Sequence, residues 1–129
     1  MKKLFFLFSI LLLASCKQEE GVGGNHTITG TVWVKNYNSS FTQLLGEYAG
    51  KDTYVYIVYG DHQGYDKRIK TDYKGQFTFE FLYPGDYTVY TYSLDSTLTD
   101  LSGFVPVVQS VTLEGRKGET TLEPLIIFE

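Results

Sequence analysis

The stretch TDYKGQFTFEFLYPGDYTV, Thr71 to Val89, decides the fold. Phe77, Phe79 and Phe81 alternate with Gln76, Thr78 and Glu80, the two-residue period of a strand with one dry face and one wet face. In front of it, Asp72-Tyr73-Lys74-Gly75 reads as a tight turn closing on glycine. Behind it, Tyr83-Pro84-Gly85-Asp86 suits a type II turn, with proline at the second position and glycine supplying positive φ at the third. A further strand from Asp86 to Ser93 then sets Tyr87 and Val89 against Thr88, Tyr90 and Tyr92.

The same period runs outward in both directions. Upstream, His26 to Lys35 places Ile28, Val32 and Val34 on one face and Thr27, Thr29, Thr31 and Trp33 on the other. Tyr54 to Tyr59 sets Val55, Ile57 and Tyr59 against Tyr54, Tyr56 and Val58. Tyr65 to Thr71 is a charged strand with Ile69 its clear apolar residue, which suits a sheet edge. Downstream, Val105 to Glu114 and Thr120 to Phe128 complete seven strands, joined by a Gly115-Arg116-Lys117-Gly118 hairpin loop. Pro124 cannot donate to a ladder, so its strand is an edge or is bulged there. Asn36 to Gly50 is too long for a hairpin turn. Phe41, Leu44, Leu45 and Tyr48 within it have the spacing of a helical stripe, and Ser40 with Gln43 fits a capping box. The pattern therefore predicts a short helix from Phe41 to Tyr48, weakened by Gly46, inside an all-β, seven-stranded Greek-key sandwich.

The chain begins MKKLFFLFSILLLASC. Two lysines, an apolar run from Leu4 to Leu13 and then small residues form the pattern of a secretory signal peptide. The run is too short for a bilayer core, which needs roughly 20 helical residues. Leu13-Ala14-Ser15-Cys16 resembles the bacterial lipobox, which implies cleavage after Ser15 and a lipid on Cys16, the one cysteine of the chain. The expected organisation is a cleaved leader over residues 1–15, a lipidated cysteine and flexible tether over 16–25, and a β-domain over 26–129. Lys17-Gln18-Glu19-Glu20 resembles the export signal of surface lipoproteins in some Gram-negative bacteria. That resemblance implies an outer-membrane lipoprotein and favours the cell surface over the periplasmic leaflet.

Loss of the leader leaves about 114 residues, one domain with a single core. Of eleven Lys and Arg, Lys2 and Lys3 leave with it, so nine remain against 15 Asp and Glu, a net charge near −6. No basic stripe exists, which argues against nucleic acid as a partner. With Cys16 lipidated, neither a disulfide nor a cysteine-based metal site can form, and stability must come from apolar burial. Eleven Tyr and nine Phe suit pleated sheets.

The quoted stretch also carries a family resemblance. Its T-D-x-x-G-x-F turn and strand, followed by an L-x-P-G-x-Y-x-V corner, looks like the central motif of carboxypeptidase regulatory-like domains, whose architecture is the transthyretin-like (prealbumin-like) sandwich. Ile28-Thr29-Gly30-Thr31-Val32 resembles the family's first strand, and Val111-Thr112-Leu113 with Gly118-Glu119-Thr120-Thr121 its last hairpin. The Asn36–Gly50 insert departs from the pattern. Some adhesin relatives carry a lysine–asparagine crosslink; Lys35 is near the expected start, but the last strand has no asparagine. The C-terminal Tyr-Arg-Gly-Ser of related purine-pathway hydrolases is absent as well. The motif residues are structural and name no ligand.

Candidate chemistry is sparse. His62 with Asp61 sits in the Gly60–Gly64 loop without a second histidine at ligand spacing or a nucleophile motif, which reads as a solvated loop histidine. Asp61, Asp66 and Asp72 lack the spacing of a calcium loop. Neither catalysis, a metal nor a cofactor is expected. Tyr54, Tyr56, Tyr90 and Tyr92 are the sharper signal. If Val55, Phe77 and Val89 point inward, these four point outward. In the arrangement the resemblance implies, their strands pair within one sheet, with Trp33 on the neighbouring sheet or rim. Such rings form either a binding surface or self-sufficient cross-strand pairs, and the insert could cover them. Asp95-Ser96-Thr97 resembles a bacterial O-glycosylation site at Ser96 and is equally a common turn; Asn25 and Asn38 head N-glycosylation sequons. The expected function is a non-catalytic, lipid-anchored binding or accessory module of the cell envelope. The alternatives are a carbohydrate-binding surface lipoprotein of a glycan uptake system and a structural or adhesive envelope subunit. The partners are then the membrane, through Cys16, and a glycan or envelope protein.

Overall fold

The computed structural model describes residues 19–97 and 103–129, so the leader and Cys16 lie outside the described residues. The described chain is all-β: β1 (Val22–Tyr37), β2 (Leu44–Ala49), β3 (Tyr54–Tyr59), β4 (Lys67–Lys70), β5 (Gln76–Leu82), β6 (Gly85–Leu94), β7 (Phe104–Leu113), β8 (Lys117–Thr121) and β9 (Leu125–Phe128). One sheet is organised around the long β1. β5 and then β2 pair antiparallel along one of its edges, while β8 and then β9 pair parallel along the other. The second sheet is antiparallel in the order β4-β3-β6-β7.

A single core lies between the two sheets. Ile28, Val32, Val34, Phe77, Phe79, Leu82, Leu125 and Ile127 enter from the β1 sheet, and Val55, Ile57, Tyr87, Val89 and Leu113 from the other. Gly30 shows how closely the layers fit. It pairs with Phe77, and a Cβ at Gly30 would lie 2.4 Å from the Phe77 ring. The glycine of the Ile28–Val32 segment is thus a seat for the phenyl group. The turn before β5 is equally determined. Asp72 Oδ1 accepts hydrogen bonds from the N–H groups of Lys74 and Gln76, each at 2.9 Å, and Gly75 adopts φ 74°. Buried Thr71 accepts from the Thr53 N–H at 2.9 Å and donates to the Gly50 carbonyl, tying the β2–β3 connection to this turn.

Among the described residues, nine strands and no helix replace the expected seven strands and one helix. The predicted helix over 41–48 is instead a turn followed by β2. The Asn38 side-chain carbonyl accepts from the N–H groups of Thr42 and Gln43, at 2.8 and 3.1 Å, while the Ser40 hydroxyl meets the Thr42 hydroxyl rather than capping a helix. The physical reason is an open edge. β1 runs on to Tyr37, beyond the end of β5, and its unpaired backbone groups take β2 from Trp33↔Ala49 to Tyr37↔Leu44. A stripe worth little on an isolated eight-residue helix loses to a ladder.

Within the expected tether over 16–25, Val22 to Asn25 already belong to β1, which begins at Val22 rather than His26. The glycines there permit close approach. A Cβ on Gly24 would lie 2.3 Å from the Leu82 carbonyl oxygen, and one on Gly23 would lie 2.4 Å from the Tyr83 hydroxyl. The last predicted strand divides around Glu123-Pro124 into β8 and β9. The Gly115–Gly118 segment is a crossover rather than a hairpin loop, since β7 and β8 belong to different sheets. Phe81 also departs from simple alternation. The β1–β5 register shifts between His26 and Ile28, Phe81 takes φ 59° and is exposed, and Leu82 occupies the core place instead.

Candidate aromatic binding face

The outward face of β4-β3-β6-β7 follows from parity. Val55 and Ile57 of β3 and Tyr87, Val89, Thr91 and Ser93 of β6 are buried, so the intervening residues face away from the core. Register then sets Tyr56 beside Tyr90 on one side and Arg68 on the other, Tyr54 beside Lys70, Tyr90 beside Val108, and Tyr92 beside Pro106.

The rings make one contiguous cluster. Tyr56 and Tyr90 stack with centroids 5.0 Å apart and planes 13° from parallel. Tyr92 stands edge-on to both, at 5.7 Å from each. Tyr65, from the β3–β4 loop, lies 4.9 Å from Tyr56, and Tyr54 lies 6.4 Å from it. The half-buried Tyr56 and Tyr90 form the floor, while Tyr54, Tyr65 and Tyr92 are 38%, 49% and 48% exposed. Burial pushes the Tyr90 phenol above its ordinary pKa, and neighbouring Tyr92 adds to the effect. A shallow, open depression of about 300 Å³ adjoins the rings, lined by Val58, Gln63, Gly64, Tyr90, Tyr92, Pro106 and Val108. At the β4 edge, the Arg68 guanidinium lies 4.3 Å from the Tyr54 ring centroid and the Lys70 ammonium 5.1 Å from it.

The structure thus brings Tyr54, Tyr56, Tyr90 and Tyr92 together and separates Trp33 from them. Trp33 belongs to the outward face of the opposite sheet, where its Nε1–H donates to Glu47 at 3.0 Å. β2 also pairs in that sheet, so the insert leaves the tyrosine face bare. Sequence reasoning missed Tyr65, Arg68, Lys70 and the apolar margin of β7. Their signal was present in the alternation, but it needed a register to show which strands share the face.

The other candidates lie apart. His62 is exposed on its loop and bonds Asp66, not Asp61, with Nδ1 2.9 Å from Oδ1. The other Asp66 oxygen accepts from the Tyr59 N–H at 2.7 Å. The hydrogen bond to the Asp66 carboxylate, with its charge, raises the His62 pKa above the ordinary histidine value. Among the described residues, no three His, Cys, Asp or Glu side chains converge as a metal group would require. His26 is buried in β1, where Nε2 donates to the Gly115 carbonyl at 2.8 Å and Nδ1 is left without a partner. Ser96 is exposed; beside it, Asp95 accepts from both the N–H and the hydroxyl of Thr97.

No family model matches the chain, and no curated protein matches it. Among solved structures, it is similar to a Pseudomonas aeruginosa protein proposed to bind carbohydrate. The two are 17% identical with a TM-score of 0.48, over 86% of this chain and 93% of the other. At that distance the likeness assigns neither a family nor a ligand.

Proposed function

We propose that this chain is a non-catalytic binding module of the cell envelope, held at the outer membrane by a lipid on Cys16, with the outward face of β4-β3-β6-β7 as its contact surface. The observation that supports this reading is the contiguous tyrosine cluster on a face that no other described element covers. Flat rings with a polar tip bury much area on binding at a small loss of side-chain freedom. Three rings standing proud of a stacked floor, next to an open depression, offer more than the cross-strand pairing a sheet needs for its own stability. The leader of residues 1–15 is removed in this reading. Gly21 is already bonded into the domain through Tyr87, so a lipid on Cys16 would hold the domain at most about 18 Å from its anchor.

Two measurements test the proposal. Cys16→Ser should abolish labelling by radioactive palmitate and release the protein from membranes; continued labelling refutes the anchor. Protease digestion of intact cells then reports the leaflet, with surface display expected. For the face, a Tyr54→Ala, Tyr92→Ala double variant should fold normally and lose whatever the wild type retains, whether a glycan on an array or an envelope protein by crosslinking. A variant that binds as the wild type does refutes the surface.

A further inference from the structure

We infer that the ligand of the tyrosine face is an acidic glycan, a chain of sugar rings bearing carboxylate or sulfate groups. The inference rests on the binding role proposed above and names its ligand class. It starts from charge. The protein is acidic overall, with 15 Asp and Glu against 11 Lys and Arg. Yet two cations stand together on this face. Arg68 and Lys70 are exposed, share the outward parity of Tyr56 and Tyr54, and both lie over the one ring of Tyr54.

Neither cation is neutralised within the described residues. The acidic residues nearest in sequence are Asp66, two before Arg68, and Asp72, two after Lys70; Asp66 is engaged by His62 and the Tyr59 N–H, and Asp72 by the N–H groups of Lys74 and Gln76. No outward position from Tyr54 to Val58, Thr88 to Tyr92 or Phe104 to Ser110 is a carboxylate. Asp86, further along β6, accepts from the Thr112 hydroxyl. Two like charges held at one ring repel each other, while the ring face attracts each of them. An anion seated between them removes the repulsion. A guanidinium placed over a ring keeps N–H groups at its rim for a carboxylate or sulfate oxygen pair.

The rest of the face suits sugar rings rather than a protein helix or loop. Its surface is tyrosine, which offers a ring to stack on and a hydroxyl to exchange hydrogen bonds with sugar hydroxyls. Rows of outward side chains run across four strands, roughly 14 Å at the usual strand spacing. An extended chain can therefore lie from the β4 cations over Tyr54 and Tyr56 to Tyr92 and the depression beside Val108. Acidic charges would be met at one end and apolar ring faces along the remainder.

The test is a glycan array probed with the detergent-solubilised full-length lipoprotein, carrying uronate, sulfated and sialylated chains beside neutral ones. Binding confined to acidic chains is expected. Titration calorimetry with the best chain should show at least a tenfold loss in Arg68→Gln, Lys70→Gln protein, at least a tenfold loss when the acidic groups are reduced or removed, and weakening with added salt. Circular dichroism checks that the variant folds. Binding of neutral chains equal to acidic ones, or full affinity in the double variant, overturns the inference and leaves the proposed binding face standing if Tyr54→Ala, Tyr92→Ala still abolishes binding. An array without any hit also overturns it. Crosslinking of an envelope protein lost in the tyrosine variant would then preserve the broader reading, and its absence would end both.

Discussion

Replacing Tyr87 by Phe isolates one hydroxyl on which the start of the domain depends. Tyr87 is 1% exposed, and its ring fills the core in either residue. Its hydroxyl donates to the Tyr83 carbonyl at 2.7 Å and accepts from the Gly21 N–H at 2.9 Å. Gly21 in turn accepts from the Tyr83 N–H at 2.8 Å, so the hydroxyl closes a ring of bonds that fastens the chain before β1 to the β5–β6 corner. Burial raises the Tyr87 pKa, so the group is the neutral phenol at ordinary pH. The phenylalanine variant leaves no cavity and strands one donor and one acceptor. At about 1–2 kcal/mol for each buried group left unpaired, the loss is roughly 2–4 kcal/mol. For a domain of this size that lowers Tm by roughly 8–16 °C, at about 4 °C per kcal/mol. Urea unfolding followed by tyrosine fluorescence gives the difference, with Tyr73→Phe, at a 76% exposed position, as the control expected within about 0.5 kcal/mol of wild type. A loss under about 0.5 kcal/mol for Tyr87→Phe would mean that water replaces the hydroxyl and that Gly21 is not held by it.

Three other outcomes are expected. Gly30→Ala drives a methyl against the Phe77 ring and should destabilise by about 1–3 kcal/mol, read as a lower urea midpoint. His62 should titrate above its ordinary value because Asp66 favours the imidazolium, and Asp66→Asn should return it, as followed by proton NMR. The sign is that of a raised pKa: the stabilising contribution is complete below the unfolded value near 6.5 and fades as pH rises through the folded one, so a His62 shift that survives Asp66→Asn refutes the assignment. Tyr92→Ala, at an outward and half-exposed site, should cost stability by about 1 kcal/mol or less while weakening ligand binding. A large loss of stability would mark the ring as structural rather than functional.

Much of the fold was legible because alternation reports directly on burial. Val55, Ile57, Phe77, Phe79, Tyr87 and Val89 are inside, and Tyr54, Tyr56, Tyr90 and Tyr92 are outside, as the period requires. The misreadings have specific causes. At Phe81 a bulge shifted the phase, and a bulge leaves no mark in a run of apolar residues. At Phe41–Tyr48 a short amphipathic pattern fitted two periods, and the open edge of β1, invisible in the local sequence, decided between them. Gly23 and Gly24 read as flexible because composition cannot distinguish a glycine that moves from one that lets two backbones touch.

The sequence by itself determined the all-β class, most of the core list and the outward set of tyrosines, since each depends on neighbours one or two residues away along the chain. Only the tertiary structure decided that Tyr65, Arg68 and Lys70 join those rings, that Trp33 sits on the opposite sheet, and that the insert leaves the face bare. The physical reason is that a strand's faces follow from its own alternation, whereas which strands lie side by side follows from hydrogen-bond pairing between segments far apart in the chain.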